Sequence, residues 1–186
     1  ATIDEDGFTP LLLKTLRKLA ALENISDVEM IRQQQMAKSN PDAPNPSVEA
    51  LLHAIIPFNW IDHTHADAVV TLTNTPEGNE LIRKIYGERL LLIPYVMPGF
   101  KLSRKVFEMT TKIDWTQCEG MILLNHGIFS FGDTARESYT RMIDLVSLAE
   151  DFLAKNSTLT NTATTESVPG KAELLKLACI RRKVSA

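Results

Sequence analysis

Three histidines and one glutamate stand where their types and spacing could do chemistry. His63 and His65 lie in Asp62-His63-Thr64-His65-Ala66-Asp67, His126 in Leu124-Asn125-His126-Gly127, and Glu49 in Pro46-Ser47-Val48-Glu49-Ala50. Side chains alternate along an extended segment, so a His-x-His pair projects both imidazoles from one face. A third imidazole from a distant strand end would complete three nitrogen ligands with one position open. That is the ligand count of a catalytic zinc rather than of a closed structural one. The local pattern also fits two buried rings bonded to backbone, since a short motif needs its context. Context favours the metal reading. The chain has only four histidines, and three of them fall at the ends of apolar runs. Strand ends of α/β folds are where ligands gather.

The elements that must position these residues can be read from pattern. Residues 58–65 read as a buried strand that ends in the histidine pair. A second strand covers 89–94. A third covers 120–124 and runs into Asn125-His126-Gly127, with an adjacent strand over 128–131. A short strand over 10–13 precedes a helix to residue 22. Ser26-Asp27-Val28-Glu29 is a capping box that opens a helix through residue 37. Pro41, Pro44 and Pro46 make 39–46 a loop. Ser47 caps a helix over 48–56. Glu49 then falls in its first turn, where the helix dipole favours a carboxylate. From position alone, a dipole-compensating surface charge is the favoured account of Glu49. His53, one turn later, reads as a packed helix residue outside the ligand set.

Further helices are expected over 67–73, over 77–86 with Gly87 as its stop, and over 102–112, the last after a Pro98-Gly99 turn. The capping box Thr134-Ala135-Arg136-Glu137 opens the longest helix, to about residue 154. Residues 156–170 form a Ser/Thr-rich linker and 171–186 a last helix. Strands alternating with helices in this order imply an α/β fold with a mixed sheet.

Composition bounds the rest. The 186 residues allow one ordinary domain with a sizeable core, and 44% hydrophobic with 23% charged residues suits a globular fold. A net charge of −3 with no strongly basic face evident argues against nucleic acid as a partner. No apolar run approaches the roughly 20 residues of a membrane span, and no secretory signal opens the chain. Cys118 and Cys179 form no spaced motif, so two free buried thiols in a reducing cytoplasm are expected. The opening Ala1-Thr2-Ile3-Asp4-Glu5 reads as a cut within a longer protein, although methionine removal would also expose Ala1.

Taken in order, Pro-Ser-x-Glu, His-x-His, Asn-His-Gly and a capped long helix resemble the class II aldolase/adducin superfamily. The nearer resemblance is to the aldolase half of bifunctional rhamnulose-phosphate aldolase/short-chain dehydrogenases. It is carried by Pro46-Ser47-Val48-Glu49-Ala50-Leu51-Leu52-His53-Ala54, by Asp62-His63-Thr64-His65-Ala66-Asp67-Ala68-Val69 and by Pro94-Tyr95-Val96-Met97-Pro98-Gly99-Phe100. Asn125-His126-Gly127 and Gly132-Asp133-Thr134-Ala135-Arg136-Glu137-Ser138-Tyr139 extend it.

The resemblance implies a three-layer α/β/α sandwich around a central mixed, mainly antiparallel sheet, with the aldolase-like domain over 1–155. It implies His63, His65 and His126 as ligands of a divalent metal, most suitably zinc, and Glu49 as the catalytic acid/base. The implied reaction cleaves a deoxyketose 1-phosphate, such as rhamnulose 1-phosphate, to dihydroxyacetone phosphate and lactaldehyde through a metal-stabilised enediolate. An epimerase or dehydratase of the same superfamily and a non-catalytic adducin-like interaction module are the alternatives. A homo-oligomer, commonly a tetramer, is implied as well. In the family, glycine-rich phosphate-binding turns precede the segment where this chain starts. None is found here, so the domain is expected to lack its N-terminal part. A dehydrogenase half would follow residue 186. Some relatives use a tyrosine as proton donor, and Tyr86, Tyr95 and Tyr139 all stand open for it.

Overall fold

Four apolar or alternating runs become strands: Trp60–Thr64 (β1), Leu90–Ile93 (β2), Gly120–Leu123 (β3) and Gly127–Gly132 (β4). The computed structural model describes residues 7–156. In the sheet the order is β1-β4-β3-β2. β2 and β3 pair parallel, with Leu90 opposite Gly120. β3–β4 and β1–β4 pair antiparallel. The sheet is therefore mixed and mainly antiparallel, as expected.

Seven helices flank it among the described residues: Leu13–Ala20 (α1), Asp27–Met36 (α2), Ala50–Ile55 (α3), Asp67–Thr73 (α4), Gly78–Tyr86 (α5), Phe100–Thr110 (α6) and Ala135–Asn156 (α7). The period-two alternation of the strands sorts their side chains into two cores. Met121, Leu123, Phe129 and Phe131 pack with Leu52, Leu102 and Val106, from α3 and α6. Ile122 and Ile128 pack with Val69, Ile82, Tyr86 and Leu145, from α4, α5 and α7. Helices thus cover both faces of one sheet, which gives the three layers.

The caps read from sequence form. Ser26 Oγ accepts from Glu29 N at 3.2 Å, and Thr134 Oγ1 accepts from Glu137 N at 3.2 Å. Gly87, at φ 62, closes α5 in the left-handed region. Three expectations need correction. The strand over 10–13 shrinks to an isolated bridge between Leu11 and Lys38, and α1 begins at Leu13. α3 starts at Ala50 rather than 48, because Ser47 Oγ accepts from Glu49 N and holds a turn there. α6 starts at Phe100 rather than 102, because Asp27 Oδ1 accepts from Phe100 N at 2.7 Å across the fold. The predicted linker over 156–170 and helix over 171–186 lie, beyond Asn156, outside the described residues. Cys118 is a buried free thiol, while Cys179 lies outside them too. No helix among the described residues is long and apolar enough to cross a membrane.

Candidate metal centre

Each residue of the cluster comes from a different kind of local structure. His63 is on β1, opposite Phe129 of β4 in the antiparallel register. His65 follows just past the end of β1 and shares its face. His126 sits in the tight turn that joins β3 to β4. That turn works because Asn125 accepts a left-handed conformation at φ 58, which short amide side chains tolerate better than most. Asn125 Nδ2 donates to the Thr73 carbonyl and to Asn74 Oδ1, at 3.1 and 2.7 Å, which locks the turn to the end of α4. Glu49 is the residue before α3. Its carboxylate is only 18% exposed and faces the imidazoles, so it is not the surface charge that its sequence position also allowed.

The structure brings all four predicted side chains together. One ligand-capable atom from each of Glu49, His63, His65 and His126 lies within 4.8 Å of the others. Glu49 Oε1 is 2.6 Å from His126 Nε2, and Glu49 Oε2 is 3.4 Å from His63 Nε2. His63 Nε2 and His65 Nε2 are 3.0 Å apart. Two nitrogens bound to one tetrahedral zinc would be about 3.3 Å apart, from Zn–N bonds of about 2.05 Å.

The protonation of His63 shows that these residues fit a cation. Its Nδ1 lies 3.0 Å from the Ile128 carbonyl, which can only accept, so Nδ1 carries the hydrogen. Burial, more than the neighbouring His65 and His126, pushes its pKa down to about 4 against the pull of Glu49 and of the Ile128 carbonyl. The neutral ring therefore leaves a lone pair on Nε2, which lies 3.0 Å from His65 Nε2 and 3.4 Å from Glu49 Oε2. Two electron-rich atoms facing each other at 3.4 Å are stabilised by a positive ion between or beside them.

Three neighbours build the site around these side chains. Phe129 stacks on the His63 ring at 3.9 Å between centroids and 15° between planes. His53 meets the other side of the same scaffold, edge-on to Phe129 at 5.5 Å, a packing contact outside the ligand cluster. Burial also lowers the His53 pKa. Gly127 is the third. A Cβ there would lie 2.7 Å from the Thr64 carbonyl oxygen, 2.8 Å from His65 Cδ2 and 3.0 Å from His63 Cε1. The glycine of Asn-His-Gly thus lets the β3–β4 turn approach the His-x-His pair. Of the tyrosines, Tyr86 is buried and donates to the Leu145 carbonyl at 2.8 Å, which removes it as a proton donor. Tyr139 and Tyr95 are exposed. Tyr95 alone of the three lines the cavity next to His65 and His126.

Residues 14–153 match the family described as Class II Aldolase and Adducin N-terminal domain. The chain is similar to the N-terminal class II aldolase domain of a conserved protein from Thermoplasma acidophilum. They share 38% identity over 82% of this chain and 69% of that one, with a TM-score of 0.73. It is also 31% identical, over 82% of its length, to the uncharacterized oxidoreductase YuxG of Bacillus subtilis (strain 168). The matched region spans only 22% of that relative.

Proposed function

The chain belongs to the class II aldolase and adducin family, and on that premise we propose that it is a metal-dependent lyase domain. The proposed reaction is retro-aldol cleavage of a deoxyketose 1-phosphate, such as rhamnulose 1-phosphate, to dihydroxyacetone phosphate and lactaldehyde. One observation carries the reading: three imidazoles and a carboxylate converge within 4.8 Å at a cluster of strand and turn ends. A module used only for contact has no use for such a set.

His63, His65 and His126 would hold the ion through nitrogen, which suits zinc and admits cobalt, nickel or iron. Such an ion supplies a Lewis acid for a ketone oxygen and the hydroxyl beside it. Neutral imidazoles leave the cluster's only formal negative charge on Glu49. Its carboxylate would move the proton at the carbon next to the ketone, taking it up in the condensation direction and returning it during cleavage. Phe129 holds the His63 ring flat against the core and the Ile128 carbonyl fixes its tautomer, so Nε2 stays available. The length of YuxG and its naming as an oxidoreductase support an aldolase segment joined to a dehydrogenase in the longer protein.

The test combines three measurements. Elemental analysis should find about one divalent ion per chain, and its loss in His63→Ala and His126→Ala. Glu49→Gln should keep the metal and lose deuterium exchange on dihydroxyacetone phosphate by on the order of 10²–10⁴-fold, the range for removing a general base. Product analysis should find two fragments from the ketose phosphate. Full metal content in both histidine variants would move the site elsewhere. An unbroken carbon chain in the product would replace the aldolase by an epimerase or dehydratase.

A further inference from the structure

Beside the histidine cluster lies a cavity of roughly 460 Å³, within the range of sites for small ligands. His65 and His126 line it, and Val70 and Pro98 contribute an apolar patch. Its remaining polar wall is Asp67, Tyr95 and Asn125. No lysine or arginine lines it among the described residues. The amide NH₂ of Asn125 is already spent on Thr73 and Asn74, so Asn125 offers the cavity an oxygen. Asp67, at the start of α4, is solvent-exposed, and its carboxylate has no hydrogen-bond or ion-pair partner among the described residues. The wall is therefore built mostly of acceptors, with one formal negative charge and the Tyr95 hydroxyl.

Acceptors that face a cavity select donors. Carboxylate and amide oxygens pair well with sugar hydroxyls, whereas a phosphate brought within several Å of Asp67 meets like charge with no lysine or arginine in the wall to offset it. We propose that Asp67 is the specificity-determining residue of this site. It binds the neutral, hydroxylated tail of the sugar and rejects a second anionic group at that end. The inference rests on the proposed aldolase reading, whose substrate carries one phosphate and an uncharged distal end, and names the residue that enforces that choice. Specificity of this kind comes from a repulsive element as much as from an attractive one.

Binding calorimetry on the zinc-loaded chain tests this without requiring turnover, with fructose 1-phosphate and fructose 1,6-bisphosphate as probes. The monophosphate should bind about tenfold more tightly or better. Asp67→Asn should narrow that ratio at least fivefold, chiefly by improving the bisphosphate. Asp67→Lys should reverse the preference. Loss of discrimination in the wild-type chain, no binding of either sugar, or an unchanged ratio in Asp67→Asn would each overturn the assignment. Product analysis on the same samples separates the two readings. Discrimination without cleavage would keep Asp67 in its role and remove the aldolase. Cleavage without discrimination would do the reverse.

Discussion

Gly127 shows how little space the site tolerates. Its missing side chain lets the β3–β4 turn sit against both rings of the His-x-His pair. Gly127→Ala would press a methyl group onto the Thr64 carbonyl and onto carbons of His63 and His65, all at 3.0 Å or less. Overpacking of this kind costs about 1–3 kcal/mol. It also splays the ligands, so zinc affinity should fall at least tenfold. Competition with a chromophoric chelator measures this, and an unchanged affinity would show that the turn yields without disturbing the rings.

The two depressed histidines make a second prediction at the same scale, for the metal-free chain. Burial lowers His53 and takes His63 to about 4, whereas an unfolded histidine titrates near 6.5. Below pH 6.5 the unfolded state therefore binds protons that the folded state refuses. Stability is highest above that pH and falls as pH drops from about 6.5 toward about 4. The urea midpoint of metal-free protein should be clearly lower at pH 5 than at pH 7.5, and His53→Gln should remove part of the difference. A midpoint equal or higher at pH 5 would contradict the buried, neutral state of both rings.

Among the elements, the junction between α2 and α6 depends on a contact that spans 73 residues of sequence. Asp27 accepts from the first backbone N–H of α6, and Gly99, at φ 140, leaves room for it. A Cβ on Gly99 would lie 2.6 Å from that same carboxylate oxygen. Asp27→Ala should cost about 0.5–2 kcal/mol, the range for losing an N-cap. Gly99→Ala should cost less in the Asp27→Ala background than in the wild type, because part of its effect is expulsion of Asp27. Denaturant unfolding of the four proteins of this cycle gives the coupling, and strictly additive losses would show that the two residues act apart.

This junction marks the limit of what the sequence reveals about elements. Strands over 90–93 and 120–123 were legible because four or more apolar residues in a row need burial on both faces. The capped starts of α2 and α7 were legible because a cap is local. The start of α6 was not, because its cap comes from another helix. The same division runs through the site. His63, His65 and His126 could be named from type and spacing and Glu49 only through the family resemblance, whereas Phe129 and the Ile128 carbonyl depend on the register of β1 against β4. A one-residue slip in that register would turn Phe129 away from His63, and nothing in either strand alone fixes it.

For the whole molecule, the cluster would act as a cross-link once it holds an ion. Its four residues come from the start of α3, from the end of β1 and from the β3–β4 turn, segments separated by up to 77 positions between Glu49 and His126. An ion held by its three histidines, with Glu49 beside it, would bind the folded chain and find no comparable site in the unfolded one. At free metal about 1,000-fold above its dissociation constant the gain is about 4.1 kcal/mol. For a domain of this size each kcal/mol moves Tm by about 2–4 °C, so chelation should lower Tm by about 8–16 °C. Restoring zinc should recover the loss, and restoring magnesium should not, since imidazole nitrogens suit the former and oxygen ligands the latter. In His65→Ala the zinc-dependent shift should shrink strongly, while the metal-free Tm changes little, because that ring is the exposed member of the cluster. Scanning calorimetry on wild type and variant, each with chelator and with zinc, reads all of these at once. A Tm that ignores zinc in the wild type would mean that the four residues pack together without holding an ion. A zinc shift that survives intact in His65→Ala would mean that the ion sits on other ligands.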